Sequence, residues 1–173
     1  FGDLDNDSWQ DLVVVNGFIS ASRERDYWYQ MSKIGLATGD VVADAAQWPA
    51  IEDRSLSGYE RTRILHNMGR KGGHFREIGD AVGITDRFDG RAVVVADLFG
   101  TGRLDVVVAN QKGPLLLYRN ESNSDLHWIE FQLTGSASGT NAYGAEIRLE
   151  HAGRKQLRVH TAASGFAGQN GPV

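Results

Sequence analysis

Phe1-Gly2-Asp3-Leu4-Asp5-Asn6-Asp7-Ser8-Trp9-Gln10-Asp11-Leu12-Val13-Val14-Val15-Asn16 joins an acidic loop to a β-branched run. Asp3, Asp5, Asp7 and Asp11 stand at positions 1, 3, 5 and 9 of a nine-residue loop, and the carbonyl of Trp9 stands at position 7. Alternate carboxylates on a tightly wound loop converge on one point. Ca²⁺ is a hard cation that takes about 6–8 oxygens at roughly 2.3–2.6 Å in flexible geometry, so the spacing predicts a calcium loop. The strand Leu12–Val15 follows directly, where an EF-hand would have a helix, which makes this a strand-loop-strand site. The alternative is a solvated acidic turn. Position 6 usually carries glycine for a positive φ, and Ser8 is expected to adopt that conformation at a cost of about 1 kcal/mol.

Val95-Ala96-Asp97-Leu98-Phe99-Gly100-Thr101-Gly102-Arg103-Leu104-Asp105-Val106-Val107-Val108-Ala109-Asn110 repeats the pattern 94 residues later (97 less 3). Asp97 and Asp105 keep positions 1 and 9, but Phe99 and Thr101 replace the acids at positions 3 and 5. This weaker loop, with Asp97, Thr101 and Asp105 as its candidate ligands, is expected to keep the turn and lose the ion. A propeller blade spans about 40–50 residues, so the longer offset implies an insertion, placed at about residues 18–60. Two helices are expected there, one capped by Ser22 and running through Asp26 to Met31, the other over Asp40 to Gln47.

Short apolar runs separated by glycine turns continue the β pattern. Strands are expected at Arg63–Asn67, at His74–Ile78 after the turn Gly72-Gly73, at Arg91–Ala96, at Val106–Ala109 and at Leu115–Tyr118. Beyond the polar linker Glu121–Asp125, Trp128–Leu133 alternates, and a hairpin turning at His151–Arg154 joins Glu146–Glu150 to Lys155–His160. The expected fold class is all-β: a partial β-propeller over residues 1–120 with a helical insertion, then a small β-domain over 126–173.

The two loops with their flanks resemble the FG-GAP (VCBS-type) repeats of integrin-like β-propellers. The stretch Asp89–Val93 through Gly113–Asn120 is similar to the last repeat of the bacterial relatives of cartilage acidic protein. The pattern of the ASPIC/UnbV domain that follows in that family is matched by His127-Trp128-Ile129, Asn141–Leu149, Gly165-Phe166 and Gln169-Asn170. The resemblance implies an exported propeller, extracellular or periplasmic, whose blades are stabilised by calcium, with a C-terminal β-domain that normally continues further.

The remaining sequence bears on function mainly by exclusion. A net charge of −4, with no Lys/Arg run, argues against nucleic acid. No apolar stretch reaches the ~18–20 residues of a membrane helix. The absence of cysteine removes disulfides and thiolate metal sites. The chain starts inside a motif without Met and is read as a fragment, so an export signal would not be visible. His66, His74, His127, His151 and His160 lack metal-ligand spacing and read as surface or strand histidines. No nucleophile elbow or phosphate-cradling loop is present.

In the insertion, Asp44 and Glu52-Asp53-Arg54 are either cleft-lining or solvated charges. Tyr27, Trp28, Tyr29 and Trp48 either pack the insertion or stack on a sugar. Asn120-Glu121-Ser122 fits a glycosylation sequon. Two functions follow as expectations. One is a calcium-stabilised scaffold contacting a protein or glycan, with the remaining propeller blades as its neighbours. The other is an exported hydrolase of polysaccharide or phosphoester with its site in the insertion.

Overall fold

The computed structural model describes residues 1–173 apart from 19–20, 38–43, 57, 70–72, 124, 137–138, 163–164, 166 and 171–173. The described chain is built mostly from sheet. Strands β1 (Leu12–Val14), β2 (Arg63–Asn67) and β3 (Phe75–Glu77) form one antiparallel sheet, and β4 (Gly90–Ala96), β5 (Asp105–Asn110) and β6 (Leu116–Tyr118) form a second. β7 (Glu146–His151) and β8 (Arg154–Val159) make a separate hairpin, and none of the three sheets closes into a barrel.

The first two sheets are copies of one unit. Leu12, Val13 and Val14 pair with Leu65, Ile64 and Arg63, and the residues 94 further on pair identically: Val106, Val107 and Val108 with Tyr118, Leu117 and Leu116. The partners are offset by 53 (118 less 65), so the β1–β2 connection is longer than the β5–β6 connection by 41 residues (94 less 53). The additional residues lie between β1 and β2, the stretch in which the insertion at about 18–60 is expected. The bridge Gly2↔Asp11 likewise matches Ala96↔Asp105, the last rung of the β4–β5 ladder.

Apolar side chains spaced by two along the strands bring the sheets together. Val13 and Ile64 of the first sheet share a core with Val95, Val106 and Val108 of the second, closed by Ile84 from the loop before β4. Glycine permits the closest approaches: a Cβ on Gly2 would lie 2.8 Å from Val95 Cγ1, and one on Gly90 would lie 2.9 Å from Val15 Cβ.

The insertion departs from expectation in its helices. Its helix, α1 (Trp28–Ala37), starts later than expected, because Asp26 and not Ser22 supplies the cap: Asp26 Oδ1 accepts the Trp28 N–H at 2.8 Å. Ser22 Oγ instead accepts the Glu24 N–H in a local turn. Of the second helix only a 3₁₀ turn at Ala45–Gln47 is seen, held by Asp44, while residues 40–43 lie outside the described residues. Tyr27 is fully buried and its hydroxyl donates to the Pro49 carbonyl, which ties the segment together. Trp28, Tyr29 and Trp48 are exposed.

In the C-terminal part the hairpin forms as expected. His151 pairs with Arg154 across Ala152-Gly153, whose φ values of 47° and 75° are the left-handed pair a two-residue turn requires. Trp128–Leu133 forms no strand despite its alternation. Trp128 instead lies on the second loop, where a Cβ on Gly102 would sit 1.9 Å from its Nε1. Gly72, of the expected Gly72-Gly73 turn, and Phe166 lie outside the described residues. Among the described residues no helix is long and apolar enough to cross a membrane.

Candidate metal centre

Backbone amides wind the first loop around its own carboxylates. Asp3 Oδ1 accepts the Asp7 N–H at 3.0 Å and Asp3 Oδ2 the Ser8 N–H at 2.8 Å. Asp5 Oδ1 accepts the Asp7 N–H at 3.2 Å, and Asp7 Oδ1 the Trp9 N–H at 2.8 Å. Asp3, Asp5 and Asp7 thereby bring one oxygen each within 4.8 Å of the others, an arrangement that could hold a metal ion. Asn6 and Ser8 take φ values of 61° and 79°, so the expectation for Ser8 is met.

Asp11 plays a different part from its neighbours. It is 2% exposed; Oδ2 accepts the Leu4 N–H at 3.0 Å and Oδ1 the Asn67 N–H at 2.8 Å. It therefore staples the loop to β2. Asp11 Oδ1 also lies 3.1 Å from His66 Nδ1, which is itself 3.8 Å from Asp5 Oδ2. Asp5, Asp11 and His66 form a second cluster of metal-ligating type beside the first, with Asp5 common to both. His66 was not legible as a site residue. It lies 55 positions from Asp11, and only the β1–β2 register brings it there.

The second loop has the same skeleton. Asp97 accepts the N–H groups of Thr101 (3.0 Å) and Gly102 (2.6 Å), and Asp105 accepts those of Leu98 (3.1 Å) and Asn120 (2.8 Å). Gly100 and Gly102, with φ of 63° and 73°, stand where Asn6 and Ser8 stand in the first. Asn67 and Asn120 are equivalents too: each donates to a loop carbonyl, Gln10 or Leu104, and each accepts an N–H two residues on, from Gly69 or Ser122. Asn120 also donates to the Leu4 carbonyl at 2.7 Å. A side-chain amide used in this way is not a free glycosylation acceptor.

The electrostatics of the two loops diverge. Burial pushes the Asp3 carboxyl up to about 6, and the charges of Asp7 and Asp5 push the same way against the Ser8 and Asp7 amides. Burial also raises Asp7, with Asp5 adding to it, while the Trp9 amide, His66 and Arg154 oppose. For Asp97 burial again pushes upward, but the amides of Thr101, Gly102, Phe99 and Gly100 outweigh it and hold the carboxyl below its usual value. The amide frame is shared, but only the first loop crowds further acids into it. No metal cluster is formed around Asp97 and Asp105 among the described residues.

Arg154, at the β7–β8 turn, donates to the Asp7 carbonyl at 2.9 Å and places the C-terminal hairpin against the first loop. In the insertion, Asp53 pairs with Arg25 and Glu52 with Arg54, and Asp44 holds its 3₁₀ turn. These charges are engaged with one another and do not converge as an acid/base set. Comparison of the chain with protein-family models, curated proteins and solved structures finds no match.

Proposed function

We propose that the chain is part of an exported, calcium-stabilised β-propeller of the FG-GAP type, followed by an ASPIC/UnbV-like β-domain, that acts as a binding scaffold for a protein or glycan. One observation carries this reading: the same loop is built twice on the same strand register, and acids are added to only one copy. Two sheets packed through a common core support the blade-like arrangement. Asp3, Asp5, Asp7 and Asp11 are the residues that would hold the ion, with the Trp9 carbonyl. All are hard oxygen donors, as Ca²⁺ prefers. Bound calcium would neutralise the loop and perform no chemistry. The hydrolase alternative gains no support from the described acids Asp44, Glu52 and Asp53, which cap a turn or pair with arginines.

Isothermal titration of the chain with Ca²⁺, alongside Asp5→Ala, tests the proposal. Saturable binding at one site, abolished by the substitution, is the expected result. Absence of heat at millimolar calcium would leave the loop as an acidic turn and remove the basis of the proposal.

A further inference from the structure

The C-terminal part of the chain reaches back to both loops and places a different group on each. Trp128 lies on the second loop, against Gly102. Arg154 lies on the first, where its Nη1 donates to the carbonyl of Asp7, 147 residues away, at 2.9 Å. Ser8 is the counterpart of Gly102, so the two contacts fall at adjoining points of the same turn. An indole covers the copy that carries Phe99 and Thr101, and a guanidinium covers the copy that carries Asp5 and Asp7. Each cover matches the chemistry of the loop beneath it.

The reach of Arg154 is built into the hairpin. Arg154 closes the last rung of the β7–β8 ladder opposite His151, and the left-handed pair Ala152-Gly153 fixes the turn from which its side chain leaves. Neighbouring cations of the hairpin are used locally: Lys155 pairs with Glu150 and Arg148 with Glu146, each at 2.7 Å. Arg154 is turned to the loop instead, and its charge acts on the Asp7 carboxyl against the rise that burial causes.

We propose that Arg154 is a tethered counter-cation of the first loop, offsetting its acids while no ion is bound and opposing calcium when calcium binds. The inference rests on the calcium reading of Asp3, Asp5 and Asp7. A guanidinium and a divalent ion drawn to the same carboxylates repel one another, and across a solvated surface such repulsion weakens binding by about three- to tenfold. Coupling between two binding events is reciprocal, so calcium weakens the hold of Arg154 on the loop by the same factor. The β7–β8 turn thereby registers whether the first loop is filled.

Calorimetric titration of the chain with calcium chloride at low ionic strength is the test, with Arg154→Gln removing the charge and Arg154→Lys keeping it. Arg154→Gln is expected to bind calcium about three- to tenfold more tightly than wild type, and the difference to shrink as sodium chloride is added. Arg154→Lys is expected to stay close to wild type. Amide exchange at the His151–Arg154 rung gives the reciprocal readout: calcium should quicken it in wild type and leave it unchanged in Arg154→Gln. An arginine that merely shaped the loop would weaken calcium binding when removed. Affinity unchanged or lowered by Arg154→Gln therefore overturns the proposal and leaves the calcium reading standing. Equal tightening by Arg154→Lys overturns it too, because the charge is retained there. Absence of calcium heat from all three chains removes the calcium reading and the proposal together.

Discussion

Asp3→Asn should remove a pH dependence that the calcium-free chain carries. Below about pH 3.8 the Asp3 carboxyl is protonated in both folded and unfolded chains and contributes nothing. As pH rises from 3.8 toward about 6, the unfolded chain releases this proton while the folded chain retains it, so stability falls. Above about 6 both forms are ionised and the loss is complete. The full shift corresponds to about 3 kcal/mol at 1.36 kcal/mol per pH unit. Asp3 is only half-buried, and solvent screening reduces this to about 1–2 kcal/mol. Asn at position 3 also exchanges one acceptor for a donor facing the Asp7 or Ser8 amide, a penalty of about 1–3 kcal/mol with no pH dependence. Urea unfolding from pH 4 to 8 in EDTA, followed by tryptophan fluorescence, separates the two effects. The wild type minus Asp3→Asn difference should decline by about 1–2 kcal/mol across the window. Asp7, also raised, is present in both chains and largely cancels. Saturating calcium should erase the decline, since the ion favours the ionised form. Parallel curves for the two chains in EDTA, or a difference growing with pH, would refute the electrostatic account of this loop.

Two further substitutions follow from the paired loops. Ser8→Gly relieves a left-handed residue at φ 79°, where the equivalent Gly102 already sits at 73°. Part of the relief is lost to the greater unfolded-state entropy of glycine, leaving about 0.5–1 kcal/mol, or about 1–4 °C in Tm by calorimetry. A lower Tm would show that the Ser8 side chain contributes more than its strain costs. The double change Phe99→Asp with Thr101→Asp recreates the acids of the first loop in the second, so calorimetric stoichiometry should rise from one calcium to two. In EDTA the same variant should melt below wild type, because the new charges would act on Asp97 as Asp5 and Asp7 act on Asp3.

Much of the local structure was legible because it depends on residues close in sequence. The β-branched runs Leu12–Val15 and Val93–Val95, and the two-residue turn Ala152-Gly153, carry their conformations with them. Trp128–Leu133 shows where that stops. Alternation implies a strand only when a partner edge is available, and here Trp128 is taken up by the face of Gly102. Ser22 failed as a helix cap for a related reason. A serine before a helical pattern has several nearby amides to choose from, and it turned to Glu24 while Asp26 reached Trp28. In the first acidic loop, the clustering of Asp3, Asp5 and Asp7 could be placed from spacing alone. His66 could not, and neither could the use of Asp11 as a staple to β2, since both depend on the long-range β1–β2 register.

The second loop also serves as an internal control on the first. Asp97 and Asp3 receive amides from equivalent positions, 101 and 102 against 7 and 8, and Asp105 and Asp11 bind equivalent pairs of backbone groups. The turn therefore needs only the first and last acids. Asp5 and Asp7 add repulsion that helps raise Asp3, and the loop bearing them also holds two non-glycine residues in left-handed backbone where the other uses glycine. Folding alone gives no reason to keep either feature, because the loop with Phe99, Gly100, Thr101 and Gly102 makes the same connection without them. A cation changes the balance, converting mutual repulsion among Asp3, Asp5 and Asp7 into shared coordination. The calcium proposal thus rests on the contrast between two copies of one turn more than on the acidity of either.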